Sequence, residues 1–226
     1  PRSTLFPYTT LFRSIILAIA AQSAVHSAFA KYSRINGKNG YRADDIAREI
    51  LRNTDVQNVP VEQVAGALTD HYDPRSRTLR LSQGVYGATS IAALAIAAHE
   101  AGHAIQHARN YFPLKIRNFL APISQLASWV APILIIAGFI FQMTGLIHVG
   151  IYFFAAAVFF TVITLPVEFD ASYMALLIIR QRKYLEGEEL IGAKKVLRAA
   201  ALTYVASTLM AVLQLLRFVL LARGRD

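Results

Sequence analysis

NFLAPISQLASWVAPILIIAGFIFQMTGLIHVGIYFFAAAVFFTVITLPV, residues 118–167, contains no Asp, Glu, Lys or Arg. A spanning helix needs about 20 predominantly apolar residues, so this interval holds two such helices and a short turn. The spans are placed at 123–141 and 146–165, with an uncharged turn at 142–145. Pro122 and Pro132 are tolerated in such helices when neighbours satisfy the carbonyls that proline leaves free. The expected fold is therefore a mainly α, integral membrane helical protein, with 121–166 as its two-helix membrane segment.

On the C-terminal side, Pro166 ends the uncharged run, and residues 167–185 (VEFDASYMALLIIRQRKYL) continue as a helix with Arg180, Arg182 and Lys183 at its polar end. The charged segment reaches Arg198, giving a unit at 167–198. Residues 199–216 are again uncharged, so 199–226 reads as a last helix, spanning or interfacial, with a basic tail. On the N-terminal side, SIILAIAAQSAVHSAFA is also uncharged and is expected to form a membrane anchor at 15–30. A signal peptide is the rival reading, because Ala28-Phe29-Ala30 resembles a cleavage site, but Gln22, Ser23 and His26 interrupt the apolar run. The first fourteen residues, PRSTLFPYTTLFRS, share no pattern with the rest of the chain and are read as a non-native leader, 1–14.

Composition agrees with a membrane protein: 55% of residues are hydrophobic and only 16% charged, against about a quarter charged in ordinary soluble domains. The net charge of +9 arises without a Lys/Arg-rich run interleaved with aromatics, which argues against nucleic acid as a partner. With no cysteine, thiolate zinc sites and thiol catalysis are excluded, so any metal must use His and carboxylates.

Residues 31–120 are polar and mixed in charge. Residues 43–53 (ADDIAREILRN) predict an amphipathic helix with Ile46, Ile50 and Leu51 on one face. A weaker signal covers 59–68, 70–77 (DHYDPRSR) reads as a turn, and Thr78-Leu79-Arg80-Leu81 alternates as a short strand that is expected to align an extended peptide through its backbone. Residues 89–109 (TSIAALAIAAHEAGHAIQHAR) predict a strong helix, opened by Ser82 or Ser90 and stopped before Pro113.

That helix contains His99-Glu100-Ala101-Gly102-His103, an H-E-x-x-H pattern. Positions four apart lie one above the other at 3.6 residues per turn, so both imidazoles can face one ion. Zn²⁺ takes His nitrogens and keeps a position for water when the protein supplies three ligands. Glu100, beside the first ligand, is placed to take a proton from that water. A chance match on an Ala-rich helix is the bland alternative; against it, two His and a Glu among apolar neighbours are costly without a shared purpose.

A third ligand has to come from elsewhere. His107 is four residues beyond His103, but eight helical residues separate it from His99 by about 12 Å, which favours a solvated or supporting role. His26, His71 and His148 lie in segments with no supporting pattern. Glu168 comes directly after the longest uncharged stretch, where an ionised carboxylate needs a partner, although a boundary surface Glu would look the same. Asp170, on a different helix face, is expected to orient an imidazole.

The run from Leu68 to Arg117 together with LPVEFDAS at 165–172 resembles the YugP-type neutral zinc metallopeptidases of bacterial membranes, and the likeness extends over about 15–221. The resemblance implies a zincin-like helix, a Zn²⁺ cofactor, and a layout similar to the HtpX group, in which a Glu on a later helix completes the site; that position is Glu168. An Asp commonly stands four residues after that Glu in the latter group, whereas this chain has Ser172.

The expected activity is metalloendopeptidase hydrolysis with metal ligands His99, His103 and Glu168 and general base Glu100. A donor for the carbonyl oxygen could be Tyr86, Tyr111 or His71. Expected partners are protein or peptide substrates and membrane lipid. The rival functions are a non-catalytic membrane scaffold with a structural or degenerate metal site, and a hydrolase of lipid or peptidoglycan amides. Lys and Arg near the spans in 31–120 and 169–198, with none at 142–145, put the catalytic side in the cytoplasm of a multi-pass inner (plasma) membrane protein. Arg223 and Arg225 conflict with that topology unless the last helix lies along the interface.

Overall fold

The computed structural model describes residues 5–54, 56 and 58–223, with side chains from residue 16 onward. The first four residues of the expected leader, and Arg225 of the tail, lie outside the described residues. Among the described residues the protein is mainly helical, in the order α1 (Leu5–Tyr32), α2 (Ala43–Arg52), β1 (Val61–Val64), β2 (His71–Asp73), β3 (Thr78–Ser82), α3 (Ile91–Ala108), α4 (Phe112–Ile140), α5 (Thr144–Gln181) and α6 (Gly187–Arg223). The described residues form two compact units, one within 23–114 and 167–202, the other within 5–22, 115–166 and 203–223.

The first unit is built like a water-soluble domain. In α2, Ile46, Ala47, Ile50 and Leu51 are buried on one stripe, as a 3.6-residue period requires. Asp44 is buried too, held by Arg48 Nη1 at 2.7 Å and by the Gly87 N–H at 3.1 Å. The sheet has the order β1-β3-β2, with β1 parallel and β2 antiparallel to β3. The weak signal at 59–68 thus contains strand β1, and the turn expected at 70–77 begins as strand β2. Because β3 pairs on both sides, it has no open edge, and Thr78–Leu81 cannot align a peptide as the sequence suggested; β2 and β1 are the edge strands.

Helix α3 begins where Ser90 Oγ accepts the Ala93 N–H at 3.2 Å, so Ser90 rather than Ser82 is the cap. It ends where Asn110, at φ +54°, lets the Tyr111 N–H reach back to the Gln106 carbonyl at 2.9 Å. Its buried Ala92, Ala93, Ala95, Ala97, Ala98, Ala101 and Ala104 carry little side-chain bulk, so neighbouring backbones can come close. At Gly102 a Cβ would lie 3.0 Å from the Ala171 carbonyl oxygen and 3.3 Å from its Cα. Along α5, Val167, Ala171, Ala175 and Ile179 recur every four residues and are fully buried.

In the other unit, α4 and α5 meet through small residues: a Cβ at Gly138 would be 2.8 Å from the Ile147 nitrogen, and one at Gly150 would be 3.0 Å from the Ile135 nitrogen. Ile135, Ile147, Ile151 and Ala222 form a small core there. Helices α4, α5 and α6 are long and apolar enough to cross a membrane. Pro122 and Pro132 lie inside α4, and Pro166 lies within α5, which runs on without a break.

Candidate metal centre

One ligand atom from each of His99, His103 and Glu168 lies within 4.8 Å of the others. The two histidines are one turn apart on α3, with ring centroids 4.8 Å apart and planes at 81°. Glu168 arrives from α5 with its side chain 2% exposed, its Oε2 at 3.3 Å from His99 Nε2 and 3.7 Å from His103 Nε2. A tetrahedral zinc ion about 2.0–2.1 Å from each donor needs donors roughly 3.3 Å apart, so the two separations from Glu168 fit a shared ion with small adjustment. Such a carboxylate is not stable alone in a buried setting and is compensated here by the two imidazoles.

The outer nitrogens are held as well. Gln106, 1% exposed, donates from Nε2 to the Val167 carbonyl at 2.8 Å and to Asp170 Oδ2 at 2.9 Å, which turns its Oε1 toward His103 Nδ1 at 3.0 Å. An acceptor there requires His103 to carry its proton on Nδ1, leaving the Nε2 lone pair facing Glu168 when the ring is neutral. Ser172 Oγ lies 3.2 Å from His99 Nδ1. Burial alone would lower the pKa of His103, but its contact with Glu168 and the charges of Glu100 and Glu168 outweigh that and hold it above the ordinary imidazole value.

Glu100 is buried beside the histidines in sequence, and its Oε2 accepts the Tyr72 backbone N–H at 3.0 Å. That N–H belongs to edge strand β2, so the sheet itself orients the carboxylate. His107 is outside the cluster and pairs through Nδ1 with the Tyr72 hydroxyl at 2.8 Å.

Several of these placements differ from the sequence reading in detail. Asp170 reaches His103 through the Gln106 amide rather than by touching a ring. Gln106 itself was not anticipated, although it stands three residues beyond His103, on the ligand face of the helix. Ser172, where an Asp was the expected residue, faces His99. Of the three candidate donors, Tyr86 has its hydroxyl bound by Arg48 Nη2 at 2.8 Å, and His71 is exposed with Nδ1 at 2.8 Å from the Thr69 carbonyl oxygen. Burial and the Asp170 charge raise the Tyr111 pKa. The Tyr72 main-chain donor had no sequence signal, because it depends on strand placement.

Residues 8–223 match the family described as "Putative neutral zinc metallopeptidase". The protein described as "Putative membrane protease YugP" from Bacillus subtilis (strain 168) is 46% identical over 223 residues, covering 98% of this chain and 99% of that protein. No solved structure matches the chain. With this extent of similarity, and with two histidines and a glutamate gathered where zinc would be held, the chain belongs to the neutral zinc metallopeptidase family.

Proposed function

We propose that the protein is a membrane-embedded, zinc-dependent metalloendopeptidase in which His99, His103 and Glu168 hold the metal and Glu100 is the general base. The observation that carries this reading is the donor set: two Nε2 atoms and one carboxylate oxygen converge within 4.8 Å, with both outer imidazole nitrogens already engaged. Bound by these three residues, a zinc ion would supply Lewis acidity toward a water and a peptide carbonyl. Glu100 takes the water's proton and returns it to the leaving nitrogen, and the Tyr72 N–H keeps its carboxylate oriented for both transfers. Gln106 and Ser172 fix the two imidazole rings, so the ligands are set before substrate arrives. The open side of β2 is the edge on which an extended peptide would lie.

The same reading places the protein in the inner (plasma) membrane as a multi-pass protein with its catalytic side in the cytoplasm. It rests on the three apolar helices and on the Lys and Arg near their polar ends. It retains an anchor at 15–30, protein or peptide substrates, contact with membrane lipid, and no nucleic-acid partner.

Purified protein with Glu100→Gln is expected to keep about one zinc per chain and lose proteolysis of a denatured substrate by at least about a hundredfold. His103→Ala is expected to lose both. Elemental analysis beside the cleavage assay checks this; hydrolysis by Glu100→Gln at the parent rate would show that another group is the base, and absence of stoichiometric zinc in the parent would favour a scaffold.

A further inference from the structure

A cavity of about 300 Å³ is lined in part by Tyr72, whose backbone N–H binds Glu100. It is at the lower end of the roughly 300–1,000 Å³ range of ligand pockets, a size for one side chain or a chain end. Tyr72, Arg77, His107 and Asn110 supply its polar groups, and Val59 and Ala104 contribute apolar wall. Ala104 adjoins His103 in the chain, and His107 lies one turn further, about 6 Å along the axis, so the cavity borders the metal-binding stretch of α3.

Among the described residues the charge of its lining is one-sided. Burial and the Arg77 charge hold the His107 imidazole below its ordinary value, and burial raises the Tyr72 phenol, so that pair is uncharged at neutral pH. Among the described residues Arg77 is the only charged group lining the cavity, and no carboxylate pairs with it. Two acids of the sheet are already engaged: Asp73 takes Ser76 Oγ at 2.7 Å, the Arg75 N–H at 2.9 Å and Arg80 Nη1 at 3.3 Å, while Glu62 lies 3.5 Å from Arg80 Nε. Arg77 stands at φ +50° in the turn that joins β2 to β3.

We propose that this cavity receives a carboxylate of the peptide substrate, either an acidic side chain near the scissile bond or the free chain end, with Arg77 as its counter-charge. The assignment deepens the peptidase reading and rests on it. A guanidinium takes a carboxylate through two parallel hydrogen bonds, and the Asn110 amide stands in the same cavity to add a donor to the carboxylate's shell.

The test measures binding separately from hydrolysis. Fluorescein-labelled heptapeptides that differ at one central position, Glu, Gln, Leu or Lys, are titrated into full-length, detergent-solubilised Glu100→Gln protein and read by anisotropy. A second pair has a free or an amidated C-terminus. The Glu peptide, or the free-acid peptide, is expected to bind at least about tenfold tighter than its neutral partner, and the pair that shows the step identifies the source of the carboxylate. Arg77→Gln should bring that ratio to within about twofold, and Arg77→Glu should make the Lys peptide the preferred one. Equal binding of acidic and neutral peptides, including no binding of either up to millimolar concentration, overturns the cavity assignment, as does a preference that survives Arg77→Gln. Cleavage of the same peptides by protein with Glu100 intact reports on the peptidase reading by itself, so failure of one is distinguished from failure of the other.

Discussion

Leu81 and Trp129 are both large apolar side chains, but Leu81 is fully buried within the unit that carries the metal centre, whereas Trp129 is 74% exposed in the other unit. The contrast is general. Ile46, Leu79 and Leu94 are also fully buried in the first unit, while Phe119, Ile140 and Tyr152 each expose about 70% of their surface in the second. In the first unit, removal of apolar surface from water is the driving force, and the polar groups that go inside, such as Asp44 and Gln106, come with their partners. In the second, large apolar side chains face outward on helices that are long and apolar enough to cross a membrane, and the helices meet through Gly138 and Gly150 instead.

The contrast can be broken most directly by truncation. Leu81→Ala should lower stability by about 2–5 kcal/mol, while Ile136→Ala, at a residue 59% exposed, should stay within roughly 0.5 kcal/mol. Chemical unfolding in one detergent gives both values, and equal losses would mean that the second unit has an ordinary core. A smaller effect is expected at the boundary between packing and chemistry. Gln106→Ala leaves His103 Nδ1 and Asp170 without their shared amide, so zinc affinity should fall about 10–100-fold. Competition with a chelating dye measures this; unchanged affinity would make Gln106 a packing residue only.

The smallest effect is a pH dependence confined to the first unit. Asp73 is held at a pKa of about 2 by Ser76, the Arg75 N–H and Arg80, and Asp44 is held below its ordinary 3.8 by Arg48 and Arg42 although burial opposes this. Carboxylates with lowered values contribute stability that is fully present above about pH 4 and is lost as pH falls toward 2. Asp70, raised by burial, acts in the opposite sense. The melting temperature should therefore drop across this window, and Asp73→Asn should flatten the drop by about 1–2 °C, since the group is partly exposed.

Much of this arrangement was legible from the chain. Helix α3 and its paired histidines could be read from period and capping, and the apolar helices from the absence of charge over 118–167. Less legible were strands β1 and β2, which are four and three residues long and have little period to detect. The Gln106 bridge was missed because a lone amide on a helix has no signature until its acceptors are known.

By itself the sequence determined what is local: a four-residue spacing that stacks His99 over His103, an uncharged length that suits a bilayer, and a carboxylate set directly after that uncharged stretch. Only the tertiary structure decided which atoms meet. Glu168, 69 positions from His99, reaches it from α5, whose Ala171 backbone lies against Gly102 of α3, and the Glu100 carboxylate is aimed by a main-chain N–H of β2. Such contacts depend on how closely separate elements approach, and periodicity along one element does not encode that distance.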